Sequence, residues 1–367
     1  MRHPARTIPF TELRSGLLYQ YDNDNVTRQI DGDLEMYTYS KRCVYEKRWN
    51  FFTEISRGII LDAANDNVVA TPFVKFWNYG ERPEIPALPF EVFGKEDGSL
   101  IVIWWHDGKW RCSTKGSFTS DQAVAAQKFI TYHAEQQLWR GCTYLAEYVG
   151  PSNRIVLQYE KEELILLGGY TEHGSEFDYA LLDMVAFNLG WRVATRHQFD
   201  SFAHLVATAP TLPATQEGFV VRFANGYRLK VKGDEYCRLH RCISNVTPLA
   251  IWEAMVAGAD MEAMRRELPE EFWVDFDFIR NALAGKVDAI VDSAKIVAGI
   301  TKHFSDKELG IHLQEGRNAD VRSYIFPLRK QGEAKVRTMA LKAVRPTGNH
   351  LEGYRPSSAM QRVEGEA

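Results

Sequence analysis

From Phe51 to Lys232 the apolar residues come in short runs, β-branched or aromatic, broken by turn dipeptides. "SRGIILDAANDNVVATPFVKFWN" predicts a strand, a turn and a strand, and "SLIVIWWHDGKWRCSTKG" predicts a hairpin, because Asp107-Gly108 suits a tight turn with positive φ. "CTYLAEYVG", "NRIVLQY" and "ELILLGGY" predict three further strands. A second hairpin, "EGFVVRFANGYRLKVKGDEY", turns at Asn225-Gly226; alternation along its return strand puts Leu229 and Val231 on one face and Arg228, Lys230 and Lys232 on the other. Two helical patterns interrupt the strands. One, "DQAVAAQKFITYHAEQQL", follows Ser120 as N-cap, and the other, "YALLDMVAFNLG", is closed by Gly190.

Beyond about Asn245 the period changes. "PLAIWEAMVAGADMEAMRREL" and "PEEFWVDFDFIRNALAGKVDAIVDSAKIVAGITKHF" carry helical spacing without strand signals. The expected organisation is an α+β domain over residues 1–245, with antiparallel sheets and flanking helices, then an all-α domain over 246–343. A polar tail bearing Pro and Gly, 344–367, is expected to be flexible.

With 367 residues, 45% of them hydrophobic, the chain can bury a substantial core, and its length favours two domains. A net charge of -4 means that a nucleic-acid partner would have to be held by a local basic surface. The five cysteines, Cys43, Cys112, Cys142, Cys237 and Cys242, form no CxxC pair, which argues against a disulfide framework or a structural zinc and for a reducing, cytoplasmic compartment. "MRHPARTIPF" lacks the apolar core of a signal peptide, and no apolar run reaches the roughly 18 residues of a membrane span, so a soluble protein is expected.

The candidate chemistry starts at Lys95, in "EVFGKEDGSLIVIWW". One reading is a solvated surface lysine. The other is a lysine held against a buried sheet, where lost hydration lowers its pKa and makes it a nucleophile. From a free value of about 10.4 this requires a fall of roughly 2–3 pH units, about 3–4 kcal/mol, to which neighbouring cations would have to contribute. Lys230 and Lys232 are such cations, although a basic solvated strand face reads the same way. Arg57 heads the strand "RGIIL", Lys75 follows in "TPFVKFWNYGE", and Lys115 sits in "STKGS". Glu147 is an acid inside the apolar strand "YLAEYVG", costly unless paired or engaged by a metal or hydroxyls, and Glu217 opens the second hairpin. One nucleophile, several cations and two carboxylates form an inventory for handling a polyphosphate. No Walker-type G-x-x-x-x-G-K-[ST] and no H-E-x-x-H is present.

In this order, K-x-D-G-S at Lys95, the strand acid Glu147, E-G at Glu217-Gly218 and K-V-K at Lys230 and Lys232 resemble a covalent nucleotidyltransferase. "SRGIIL", "FVKFWNYGE", "GKEDGSL", "STKGS", "GPSNRIVL", "EGFVVR" and "LKVKGDEY" resemble in particular the RNA ligase 1 family of bacteriophages, ATP-dependent enzymes of tRNA repair, over about Phe51 to Tyr236. Trp77 stands where the family's pattern has phenylalanine.

The resemblance implies a nucleotidyltransferase (ATP-grasp-like ligase) fold followed by an all-α domain concerned with tRNA. It implies ATP and Mg²⁺, with Mn²⁺ as an alternative metal, and as substrate an RNA, expected to be tRNA, with 5′-phosphate and 3′-hydroxyl ends that a partner kinase or phosphatase prepares. Lys95 would take AMP as a phosphoramide; Arg57, Lys75 and Lys115 would line the ATP site; Gly98 would permit close backbone approach. Glu147 would contact ribose or metal, Glu217 the metal, and Lys230 and Lys232 the triphosphate, with Tyr236 an accessory or RNA-contacting residue. A DNA ligase, a capping guanylyltransferase and a catalytically inactive RNA-binding homologue are the alternatives. Arg265, Arg266, Arg317, Arg322, Arg329, Lys330, Lys335 and Arg337 are candidate phosphate contacts in the helical part, where the aromatic positions read as core.

Overall fold

A computed structural model describes residues 1–82, 84–268, 272–314 and 320–357. The chain divides into two compact units, Met1–Arg238 and the residues from Leu239 onward, the division falling within the helix Asp234–Ser244.

The strands of the first unit are β1 (Val26–Asp31), β2 (Leu34–Tyr39), β3 (Arg57–Asp62), β4 (Asn67–Ala70), β5 (Trp77–Asn78), β6 (Phe90–Gly94), β7 (Ser99–His106), β8 (Lys109–Thr114), β9 (Thr143–Val149), β10 (Glu163–Tyr170), β11 (Arg192–Val193), β12 (Arg196–His197), β13 (Gly218–Phe223) and β14 (Arg228–Lys232). They form three sheets, ordered β1-β2-β3-β4, β11-β10-β9-β7-β8 and β12-β6-β13-β14-β5. Pairing is antiparallel except at two short edges, β10 with β11 and β14 with β5. The class is α+β, as the alternating patterns imply.

The dense run "LIVIWW" is explained by a strand buried on both faces. Val102 and Trp104 pack against Leu34, Met36 and Ile60 of the first sheet. Ile101 and Ile103 pack on the other side under the helices Asp121–Gln127 and Tyr179–Leu189, with Ala126, Leu182 and Val185. The third sheet packs Val92, Phe219, Val221, Leu229 and Val231 against Leu205 of the helix Phe202–Thr208. Its other face, bearing Arg228, Lys230 and Lys232, is left for chemistry.

Both predicted hairpins form, β7 with β8 and β13 with β14. Asp107 (φ 48°) and Gly108 (φ 75°) are both left-handed, the geometry a two-residue hairpin loop prefers. Two local expectations fail. "NRIVLQY" is not a strand: the Asp97 carboxylate accepts the backbone amides of Val156 and Leu157, at 2.8 and 2.7 Å, and so takes hydrogen bonds a neighbouring strand would have supplied. The pattern after Ser120 is two helices, Asp121–Gln127 and Tyr132–Gln137, because Thr131 starts the second by capping Ala134 N. The residues before Phe51 contribute β1, β2 and the helix Phe10–Asp22, whose Leu13 and Leu17 cover Tyr37, Ile59 and Leu61.

In the second unit the long helix Trp273–Ile300 buries Phe276, Ile279, Leu283, Val287 and Val291, at three- and four-residue spacing, so these positions are core. Several candidate phosphate contacts there are already paired: Arg265 with Asp277, Arg329 and Lys330 with Asp306, Arg337 with Asp288. Arg317 and residues 358–367 of the tail lie outside the described residues. Of the tail before them, Leu351 is buried, and the Tyr354 hydroxyl donates to Asp275 at 3.0 Å, so this stretch is fastened where a flexible one was expected.

Candidate active site

Lys95 follows β6 directly, and its backbone N–H donates to Gly218 O at 2.9 Å, which ties the "KEDG" loop to the start of β13. Its Nζ lies 2.6 Å from Glu217 Oε2, while Lys232 Nζ lies 2.9 Å from Glu217 Oε1. Glu217, 2% exposed, is therefore held between two amines. Burial raises its pKa, but Lys95 and Lys232 prevail and hold it below the usual carboxylate range.

The expectation for Lys95 itself is overturned. Burial does act to lower its pKa, but Glu217, Glu147 and Asp97 outweigh burial and hold the amine above its ordinary value. Carboxylates, absent from the argument built on apolar flanks, decide the sign.

The depressed amine is Lys230. Burial, then Arg57, Lys95, Lys75 and Lys232, push it well below its usual range. Lys230 Nζ sits 4.9 Å and the Arg57 guanidinium 4.8 Å from the centre of the Phe76 ring, a residue to which the sequence reading assigned no role. Arg57 Nη1 is buried and has no hydrogen-bond partner among the described residues. Lys75 is lowered too, by burial first and further by Arg57 and Lys115, and its Nζ lies 4.4 Å from the Trp77 ring centre. Lys115 is brought close by Gly58 (φ 94°), where a Cβ would stand 2.9 Å from Lys115 Cα. The structure thus gathers all six sequence-predicted cations, Arg57, Lys75, Lys95, Lys115, Lys230 and Lys232. Unpartnered guanidinium hydrogen and crowded amines are a receptor for multiply charged anion.

Asp97 is the residue whose part was missed, although it stands in the "KEDG" motif. It is 2% exposed; besides the two amides of 156 and 157 it accepts the Tyr236 hydroxyl at 2.7 Å. Its own N–H donates to the Tyr159 hydroxyl at 3.0 Å. Tyr236, also 2% exposed, presents no surface to RNA; it is an accessory residue that locks Asp97, with Lys232 Nζ 5.1 Å from its ring centre. Gly98 permits close approach to protein: a Cβ there would meet Tyr148 O at 2.3 Å. Glu147, on β9, is buried and lies near enough to raise the Lys95 pKa.

The carboxylates do not form a preassembled metal cage. Among the described residues no group of three His, Cys, Asp or Glu side chains could hold an ion, and both Glu217 oxygens are taken by amines.

An RNA ligase family model matches residues 55–236. An RNA ligase of Rhodothermus phage RM378 is 22% identical over 295 residues, covering 59% of this chain and 66% of that protein. A protein of Autographa californica nuclear polyhedrosis virus, whose name couples polynucleotide kinase with RNA ligase, is 25% identical over 266 residues, covering 64% of this chain and 36% of that one. The chain thus spans less than two thirds of the length of either relative. Among solved structures, an archaeal ATP-dependent RNA ligase aligns with a TM-score of 0.52 at 13% identity over 76% of this chain and 83% of that one, a likeness of fold. The segment 55–236, which carries all six clustered cations and Glu217, is thus the part of this chain that is similar to the RNA ligase family.

Proposed function

We propose that this protein is an ATP-dependent RNA ligase that joins 5′-phosphate and 3′-hydroxyl ends through a lysyl-AMP intermediate. The observation that carries the proposal is the hydrogen-bonded chain Lys95–Glu217–Lys232 set beside the charge-crowded Lys230.

In the first step Lys95 Nζ attacks the α-phosphorus of ATP; the N–P bond forms, the P–O bond to pyrophosphate breaks, and pyrophosphate leaves. Glu217 Oε2, at 2.6 Å, is placed to receive the ammonium proton. Lys230, Lys232, Arg57, Lys75 and Lys115 neutralise the polyphosphate, and since preorganised charge supplies most of the rate in phosphoryl transfer, they are the principal catalytic term. Glu147 is the acceptor for a ribose hydroxyl. In the second step the RNA 5′-phosphate takes AMP from Lys95 and the amine is released. In the third, the 3′-hydroxyl attacks that phosphate, a phosphodiester forms and AMP leaves.

Mg²⁺, the metal we expect, would arrive with the nucleotide, held mainly by phosphate oxygens and water as that ion prefers. The RNA is, in this reading, a cleaved tRNA. End-healing by a kinase or phosphatase is consistent with the coupled activities in the name of the baculovirus relative. A helix, Asp234–Ser244, follows the K-V-K strand directly, which favours an RNA ligase over the DNA-ligase and capping alternatives, which normally append a short β-barrel there.

Incubation with α-labelled ATP and a 5′-phosphorylated oligoribonucleotide tests the proposal. Label on the protein, its loss in Lys95→Ala, and circularised RNA are expected. Absence of covalent label on the wild-type protein overturns the reading, and label without joining leaves an inactive or differently specific homologue.

A further inference from the structure

Beside the cation cluster stands an aromatic corner that the three steps do not use. Trp49 meets Trp77 edge to face, ring centres 4.9 Å apart at 89°, and meets Tyr39 at 5.1 Å and 73°. Trp77 is occupied by two cations, Lys75 Nζ at 4.4 Å and the Arg82 guanidinium at 4.2 Å from its centre. Trp49 is different. It lies between two short helices, Lys41–Tyr45 and Phe51–Ile55, with its backbone N–H donating to Lys47 O at 2.9 Å. Its indole N–H makes no hydrogen bond among the described residues, and the side chain is only half-buried. Lys75 Nζ is 5.5 Å from its ring centre.

We propose that Trp49 is a stacking platform for a base of single-stranded RNA whose adjoining phosphate is held by Lys75 and its neighbouring cations. The ligand class rests on the ligase reading; the geometry stands by itself. A half-buried indole packs at steep angles against two other rings, so it is rigid at little entropic cost, and it borders a cationic pocket. That pairing of a fixed π face with phosphate-binding charge is how single strands are bound without sequence preference, because every base presents a face for stacking. The free indole N–H can donate to a base or ribose oxygen. Mononucleotide phosphates alone would need the cations and not the ring. A strand end lying over the same cations brings a base to it.

The test measures binding of a fluorescein-labelled 5′-phosphorylated oligoadenylate eight nucleotides long to the full chain without ATP, by anisotropy. Trp49→Leu, which fills space without a π face, is expected to weaken binding about tenfold, whereas Trp49→Tyr stays within about twofold of wild type. Formation of lysyl-AMP from labelled ATP stays within about twofold in both variants. A matched strand with abasic residues is expected to bind wild type about tenfold more weakly than the oligoadenylate, a comparison that needs no variant to fold. Equal binding of the two strands by wild type overturns the inference. So does a Trp49→Leu protein that loses lysyl-AMP formation in proportion, which would make the ring mere support for Lys75. Because binding is read without ATP, failure of wild type to label defeats the proposed function and leaves this result to be judged separately.

Discussion

Lys95 and Glu217 are separated by 122 residues, yet their side chains meet at 2.6 Å. Glu217 shares its second oxygen with Lys232 at 2.9 Å. In the ligand-free protein the nucleophile is thus kept charged by its own proton acceptor, and activation must follow entry of an anion that competes for the surrounding cations.

Replacing Glu217 by Gln removes the largest influence holding the Lys95 pKa up and leaves burial opposed only by Glu147 and Asp97, so the pKa falls. Lys95 should then react several-fold faster with an amine-selective acylating reagent at pH 8 without nucleotide, as read by peptide mass spectrometry. Slower or unchanged labelling would mean that Glu217 does not set the protonation of this amine.

Lys230 has the opposite sign. The folded chain holds this amine less protonated than the unfolded chain does, so as pH falls from its ordinary value of 10.5 toward the lowered one, protonation favours unfolding. At neutral pH the lysine is therefore a stability liability kept for function. Lys230→Met should raise the melting temperature while abolishing lysyl-AMP formation. Pyrophosphate, by bringing negative charge, should raise the Lys230 pKa and so drive proton uptake at a pH below the amine's ordinary 10.5 in the wild type; calorimetry in buffers of different ionisation enthalpy, scanned over pH, would detect it.

Tyr236 and Asp97 form a buried hydrogen bond at 2.7 Å to a carboxylate. Tyr236→Phe should cost about 1.5–3 kcal/mol of stability, the usual range for a bond to a charged group. RNA affinity should stay unchanged, since the ring is buried. Denaturant titration and anisotropy read the two halves; a large loss of RNA affinity without loss of stability would restore a direct contact.

His3 is 1% exposed, its Nε2 2.9 Å from Pro72 O and its Nδ1 accepting from Ala5 N at 3.2 Å. Burial lowers its pKa to about 4. Because the folded value lies below the unfolded one of 6.5, stability is intact above pH 6.5 and is lost as pH falls toward 4, by about 3 kcal/mol in all. Melts of wild type and His3→Gln from pH 7 to 4 should converge at the acid end. Parallel curves would exclude His3 as the sensor.

The strands "RGIIL", "LIVIWWH" and "RLKVK" were legible because short dense apolar runs, the alternation in "RLKVK" and Asn-Gly or Asp-Gly turns all act over a few residues. The stretch at 153–159 was misread for the complementary reason. Its amides are satisfied by Asp97, more than fifty residues earlier in the chain, and local pattern carries no record of that partner. Phe76 and Trp49 looked like any aromatic until Lys230, Arg57 and Lys75 were placed around them.

By itself the sequence determined which residues could do the chemistry: the order Arg57, Lys75, Lys95, Lys115, Glu147, Glu217, Lys230 and Lys232 is written in it, together with the strands that carry them. Only the tertiary structure decided their protonation. A pKa depends on burial and on charges within a few ångströms, and most of those come from remote segments: Glu217 raises Lys95, and Arg57 on β3, Lys75 and Lys95 in loops and Lys232 on β14 depress Lys230.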